Sequence, residues 1–71
     1  MRAKVDLHLR ASPMSDHRNL GVITVEHDGL TVRPHQDIRC RAAGRRLRAH
    51  ITSVRRCGDH VPHVYADAVG E

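Results

Sequence analysis

Arginine residues between positions 45 and 56 are the side chains of this chain best suited to bind an anion. They lie in the segment GRRLRAHITSVRR, which carries most of the basic charge, and they are Arg45, Arg46, Arg48, Arg55 and Arg56. A guanidinium group presents a rigid fork of donors that matches phosphate and carboxylate oxygens. The spacing therefore predicts a basic face with salt-dependent affinity for phosphates. The alternative is an ordinary solvated surface, since arginine-rich chains also arise from genome base composition.

The nature of the nucleic-acid partner follows from a missing residue type. Tyr65 is the only aromatic ring among Phe, Tyr and Trp, whereas proteins that bind single strands stack the bases on several such rings. We therefore expect recognition of backbone and shape with little sequence preference, and structured RNA or a ribonucleoprotein surface as the partner. The competing hypothesis is a protein-interaction or assembly module that uses exposed strand edges, such as one near Pro34.

Cysteine and histidine residues offer a weaker, third hypothesis of a small zinc-stabilised domain. The best candidate ligands are Cys40, Cys57, His60 and His63, the last three at C-x2-H-x2-H spacing. Zinc accepts both thiolate and imidazole ligands. This spacing differs from the established finger patterns and includes Pro62, and isolated surface histidines are the alternative interpretation.

Catalysis is predicted to be absent, with no cofactor. Ser53 or Cys57 could be activated by His50 or His60, but a nucleophile also needs an orienting group and a pocket. A small barrel filled by its own side chains offers no obvious pocket. The chain contains no GxxxxGKS or GxxxxGKT phosphate loop, which excludes nucleotide hydrolysis of that type.

The segment that carries the arginines is predicted to be a strand from Arg46 to Val54. Every second residue from Leu47 to Ser53 would face the core, and the residues between them would face water. A helix is the rival, because apolar residues also recur there at helical spacing. Gly44 and the β-branched residues of the segment favour the strand.

Five further extended segments are expected around it. Alternation predicts a half-buried strand over residues 3–10, followed by an exposed loop at about 12–19. Residues 21–27 form the next strand, and Asp28-Gly29 predicts a tight hairpin turn with residues 30–33 on its far side. Pro34 would interrupt pairing before a strand over residues 37–41. Turns are predicted at residues 42–44 and 57–59, Val61 and Val64 are expected in the core, and residues 67–71 form a short final segment.

Five or six short strands separated by turns predict an all-β fold, namely a small closed or nearly closed antiparallel β-barrel. Its 71 residues allow one domain, over residues 1–71. Sixteen Val, Leu and Ile residues with no Phe or Trp indicate a thin aliphatic core.

The order of motifs resembles a known barrel. GVITVEHDG, LTVRPHQDI, GRRLRAHITSVRR and VYADAVGE are similar, in that order, to the second domain of translational GTPases such as elongation factor Tu and initiation factor 2. The resemblance covers nearly the whole chain and implies a non-catalytic barrel that, in its relatives, contacts tRNA or the ribosome. It departs from the family at His35-Gln36, where Gly-Asp is usual, and at Ala66-Asp67, where the turn glycine is missing.

A second, shorter resemblance concerns the opening VDLHLR. It is similar to the D-L-H-x-H start of metal-dependent phosphoesterases of the polymerase and histidinol phosphatase type, with Arg10 in place of the second histidine. Those enzymes have a fold several times longer than this chain, so we treat the match as coincidence.

The net charge of the chain and its cellular location can also be predicted from the sequence. Twelve Lys and Arg against eight Asp and Glu give a formal net charge of +4, and eleven of the twelve cations are arginine. No apolar run approaches the roughly 18 residues that span a bilayer, and the N-terminus lacks the apolar stretch of a signal peptide. These features predict a cytoplasmic protein with no membrane contact, in which the two cysteines remain reduced thiols.

Overall fold

The structure is a computed structural model that describes residues 1–12, 14–42 and 44–69. The described residues form five strands and no helix. The strands are β1 (Arg2–Arg10), β2 (Arg18–His27), β3 (Asp37–Ala42), β4 (Arg45–Arg55) and β5 (His63–Ala68). The all-β prediction is confirmed, and the helical alternative for the arginine-rich segment is wrong. No helix that could cross a membrane occurs in the described part of the chain.

The strands close into a barrel in the order β1-β2-β3-β4-β5. Each strand pairs antiparallel with the next along the chain. The closing pair, β1 with β5, is parallel, whereas the sequence predicted a wholly antiparallel barrel. The physical reason is the odd number of strands, because a five-stranded meander leaves its first and last strands pointing the same way.

Aliphatic side chains fill the interior, as expected for a barrel of this size. The fully or almost fully buried residues are Val5, Leu7, Val25, Val32, Ile38, Ala49, Ile51, Val64 and Ala66. His27 is the buried polar residue among the described positions, and its ring nitrogen Nδ1 lies 3.1 Å from the carbonyl oxygen of Asp28. Each strand contributes to the core by alternation, so the residues between the core positions face outward.

Two β-bulges interrupt this alternation. Between Leu7 and His8 the register with β2 shifts, so that Leu20 is the extra residue, and Gly21 follows it with φ of 80°. The second shift, in β4, leaves Thr52 without a ladder partner, and its hydroxyl donates to the carbonyl of Tyr65 at 3.0 Å. The bulge reverses the pattern beyond it. Ser53, predicted to face the core, is exposed, and Val54 packs against the core instead.

The connection between β2 and β3 is longer than the predicted hairpin. His27 pairs with Ile38, and residues 28–36 join the two strands, so the tight turn at Asp28-Gly29 is wrong. Val32 is buried in the core with 4% exposure, which draws the connection inward. The side chain of Gln36 holds it in place, since its amide donates to the Asp28 carbonyl and its oxygen accepts from the Arg33 N–H, each at 3.0 Å.

The backbone around Pro34 does not form an open strand edge. The His35 N–H donates to the Ile51 carbonyl, and the Ile51 N–H donates to the Gln36 carbonyl, each at 2.8 Å. These two bonds extend the β3–β4 ladder toward Pro34. The edge predicted there is therefore occupied by β4.

The remaining turns are close to expectation. His60 N–H donates to the Cys57 carbonyl at 3.0 Å, which confirms the turn at residues 57–59. Ala42 pairs with Arg45, which places a short turn at Gly44 with φ of 74°, while Ala43 lies outside the described residues.

The bounds of two predicted segments differ in the structure. β2 begins at Arg18, so the loop before it ends at His17 and not at residue 19. Of the predicted final segment, residues 67 and 68 belong to β5, residue 69 follows it, and residues 70 and 71 lie outside the described part.

Candidate functional sites

The β3–β4 hairpin contains two pairs of arginines in which the two residues lie directly opposite each other. Arg39 lies opposite Arg48, and Arg41 lies opposite Arg46. All four residues are exposed, and they alternate with Cys40 and Leu47, which are partly buried. Like charges directly opposite each other destabilise a sheet. Fold stability therefore does not account for this arrangement.

These arginines line a groove of about 710 Å³ on the outer surface of the barrel. Arg2 and Glu26, from the neighbouring β1–β2 hairpin, also line it. We call Arg2, Arg39, Arg41, Arg46 and Arg48 the arginine face. Among the described residues, Glu26 is the only carboxylate that lines this groove, against five arginines, so this lining carries an excess of positive charge.

Glu26 pairs loosely with two members of the arginine face. Its carboxylate oxygens lie 3.5 Å from Arg2 Nε and 3.8 Å from Arg39 Nε. The exposed fraction of the side chain is 48% for Glu26, 77% for Arg2 and 59% for Arg39. Exposed pairs of this kind contribute little to stability. The guanidinium groups therefore remain accessible to an external anion.

The predicted basic patch is divided in the structure. Arg46 and Arg48 belong to the arginine face, and Arg45 lines a neighbouring groove beside Arg18. Arg55 lies at the opposite end of β4. At the usual rise per residue of a strand, it is on the order of 25–30 Å from Arg46 and Arg48. Arg56, just beyond that end, donates to the Val32 carbonyl at 2.9 Å. The prediction that all five arginines lie in one compact patch is therefore wrong.

Three members of the arginine face were not predicted, namely Arg2, Arg39 and Arg41. Alternation in the segment DIRCRA places Arg39 and Arg41 on the outer side of their strand, and this signal is visible in the sequence. Their meeting with Arg46 and Arg48 depends on the hairpin register, which the sequence pattern alone did not provide.

A second group of polar side chains lies where β1 and β5 close the barrel. Residues directly opposite each other on the outer face are Asp6 with His63, His8 with Tyr65, and Arg10 with Asp67. The intervening residues on both strands point into the core. We call these six residues the seam.

Asp6, His8 and His63 of the seam converge on one point. His8 Nε2 lies 3.1 Å from His63 Nδ1. The Asp6 carboxylate places Oδ1 at 3.6 Å from His8 Nε2 and Oδ2 at 3.3 Å from His63 Nδ1. The three side chains are partly enclosed, with exposures of 20%, 15% and 38% in the order Asp6, His8, His63. Asp6 Oδ1 is buried and has no hydrogen-bond partner among the described residues.

The rest of the seam holds these side chains in place. Tyr65 stacks on the His8 ring with 4.5 Å between centroids, and His17 packs edge-on against Tyr65 at 5.3 Å. Arg10 makes a two-pronged contact with Asp67, at 2.7 Å from Nε and 2.9 Å from the terminal nitrogen. The hydrogen bond from Arg10 lowers the pKa of Asp67 and correspondingly raises the pKa of Arg10.

The residues predicted as zinc ligands do not come together. Cys40 lies on β3, partly buried, and burial raises the pKa of its thiol. Cys57 and His60 are exposed on the turn after β4. Within the described ranges, only Asp6, His8 and His63 form a group of three or more potential metal ligands, with ligand atoms within 4.8 Å of one another. The structure thus joins His63 to Asp6 and His8, which are not among the predicted zinc ligands. Both cysteines are free thiols.

No family model, curated protein or solved structure matches this chain. The likeness of its motifs to the second domain of translational GTPases therefore remains a prediction from the sequence.

Proposed function

We propose that this chain is a non-catalytic binding module that contacts the phosphate backbone of structured RNA, alone or on a ribonucleoprotein surface, through the arginine face. The observation that carries the proposal is the double arginine pair of the β3–β4 hairpin, Arg39 with Arg48 and Arg41 with Arg46. A bound phosphate would lie between like charges and offset their repulsion. Each guanidinium can also donate two parallel hydrogen bonds to one phosphate.

The lining of the groove favours backbone recognition. Among the described residues that line it, none has an aromatic side chain on which a base could stack. Phosphate contacts fix position on a nucleic acid and carry no sequence information. Binding should therefore depend on the shape of the RNA and on salt concentration, and only weakly on base sequence.

The protein-interaction alternative has lost its main support. It relied on an exposed strand edge near Pro34, and the backbone of His35 and Gln36, directly after that residue, is hydrogen-bonded to β4. The resemblance of the motif order to translation-factor barrels also favours an RNA partner, although the proposal does not depend on it.

Fluorescence anisotropy with a labelled RNA hairpin, titrated at several salt concentrations, tests the proposal. The double variant Arg39→Ala/Arg48→Ala should reduce the magnitude of the salt slope by about 1.4–1.8, because each of the two lost phosphate contacts contributes about 0.7–0.9. We expect its affinity to fall by at least about tenfold at low salt. A hairpin of the same shape and different base sequence should bind the wild-type protein with similar affinity.

The matched control is Arg33→Ala/Arg55→Ala, which removes the same charge from exposed positions outside the arginine face. It should retain most of the affinity and most of the salt slope. The proposal is wrong if the wild-type protein fails to bind RNA at low salt. Equal losses in the two double variants would also contradict it, because they would show attraction to net charge without a defined face.

A further inference from the structure

We propose that Asp6, His8 and His63 form a binding site for a divalent transition-metal ion of the Zn²⁺ class, which fastens β1 to β5 where the barrel closes. These residues lie on the outer face of the only parallel strand pair among the described strands. The site is independent of the arginine face, whose groove is lined by other residues.

The separations between ligand atoms fit such an ion. In a tetrahedral zinc site with bonds of 2.0–2.1 Å, neighbouring ligand atoms lie about 3.3 Å apart. The two imidazole nitrogens are separated by 3.1 Å, and the carboxylate places a different oxygen at 3.3 and 3.6 Å from them. A small cation between the three groups would contact all of them without rearrangement of the backbone.

One carboxylate oxygen of the cluster is available to a cation. Asp6 Oδ1 is buried without a hydrogen-bond partner among the described residues, although buried carboxylate oxygens are normally paired. His8 Nε2 lies 3.6 Å from it, which is too long for a hydrogen bond. A metal ion would satisfy this oxygen and both imidazole nitrogens at once.

The surroundings of the cluster restrict its movement. The β-bulge at Leu20 lies in β2, opposite Leu7 and His8, and bulges often occur beside functional sites. Tyr65 covers one face of the His8 ring. The Arg10–Asp67 pair fixes β1 against β5 two residues beyond the His8–Tyr65 pair. The ligands therefore need little ordering on binding, which favours affinity.

The ligand types select the class of ion. Two imidazoles with one carboxylate suit Zn²⁺ and neighbouring first-row ions, whereas Ca²⁺ and Mg²⁺ require more oxygen ligands. Three protein ligands leave one tetrahedral position for water, on the side where His63 is 38% exposed. The ion would join residues 55 or more positions apart in the chain, so its binding free energy adds to the stability of the fold.

Zn²⁺ added to chelator-treated wild-type protein tests the inference by calorimetry and thermal unfolding. We expect one Zn²⁺ per chain, and a rise in Tm on the order of 10 °C at a hundredfold excess over Kd. In the wild-type NMR spectrum, the ring signals of His8 and His63 should shift more than those of the other histidines. This measurement requires no variant and so does not depend on variant folding.

Substitutions distinguish this site from the ligand set predicted from the sequence. Asp6→Asn and His8→Ala should each weaken Zn²⁺ binding by at least about tenfold. The control Cys57→Ser/His60→Ala should bind like wild type, because it removes only the exposed candidate ligands of the 57–60 turn. Failure of wild-type protein to bind Zn²⁺ or to gain stability would overturn the inference. Loss of binding in the control with retention in His8→Ala would also overturn it, in favour of the cysteine-containing set.

Discussion

Cys40 and Cys57 show how the position of a residue in the barrel decides its chemistry. Cys40 lies against the core, and burial raises the pKa of its thiol, whereas Cys57 is exposed on the turn after β4. The thiolate is the reactive form of cysteine, so both a raised pKa and poor access slow alkylation.

We therefore predict two phases when the folded protein is treated with a thiol reagent. One thiol, that of Cys57, should react at the rate of a free thiol, and the other should react at least about tenfold more slowly. Denaturant should remove the difference. The Cys57→Ser variant should lose the fast phase only. Equal rates for the two thiols in the native protein would show that Cys40 is not held against the core.

Outward-facing residues were predictable from the sequence to the extent that alternation is regular. The pattern of VDLHLR places Asp6 and His8 on the outer side of the first strand, and the pattern of HVYADA does the same for His63. Their convergence was not predictable, because it depends on parallel pairing between strands at opposite ends of the chain. The pattern also failed at Ser53, where an inserted residue reverses the faces of the strand.

At the scale of strands, most elements were identified correctly and the connection between two of them was not. Asp28-Gly29 is a strong local signal for a hairpin, but Val32 is drawn into the core and Gln36 bonds to both ends of the connection. Tertiary packing therefore overrides the local turn preference. Register is the second feature that the pattern does not encode, and it alone brings Arg39 opposite Arg48.

The seam between β1 and β5 should make the stability of the barrel sensitive to acid. Arg10 holds the pKa of Asp67 below its usual value of about 3.9. Because this pKa is lower in the folded state, the contribution is fully present above the usual value and is lost as the pH falls through the folded value. Wild-type protein should therefore lose more stability than the Asp67→Asn variant between about pH 5 and pH 2.

Thermal unfolding across this pH range measures the effect. The variant should be less stable than wild type at neutral pH, and the two should approach each other in acid. Only the difference between the two proteins reports on Asp67, since the other carboxylates titrate in both. Parallel pH profiles would contradict the role of the Arg10–Asp67 pair.

At the scale of the whole molecule, the barrel carries two chemically different surfaces. The arginine face spans the outer side of β3 and β4 together with Arg2, and the seam crosses β1 and β5. The principal dimensions of the described molecule are 30 × 22 × 22 Å, and both surfaces lie over one small aliphatic core. An RNA molecule bound at the arginine face would leave the seam free.

The most direct test of this division is an NMR titration of isotope-labelled protein with a short RNA hairpin at low salt. We expect the largest changes in amide chemical shift at Arg39, Arg41, Arg46 and Arg48. The amide signals of β1 and β5 around the seam should change little, and added salt should reverse the changes. Shifts centred on the seam or on residues 55 and 56, or no shifts at low salt, would contradict the assignment of RNA binding to the arginine face.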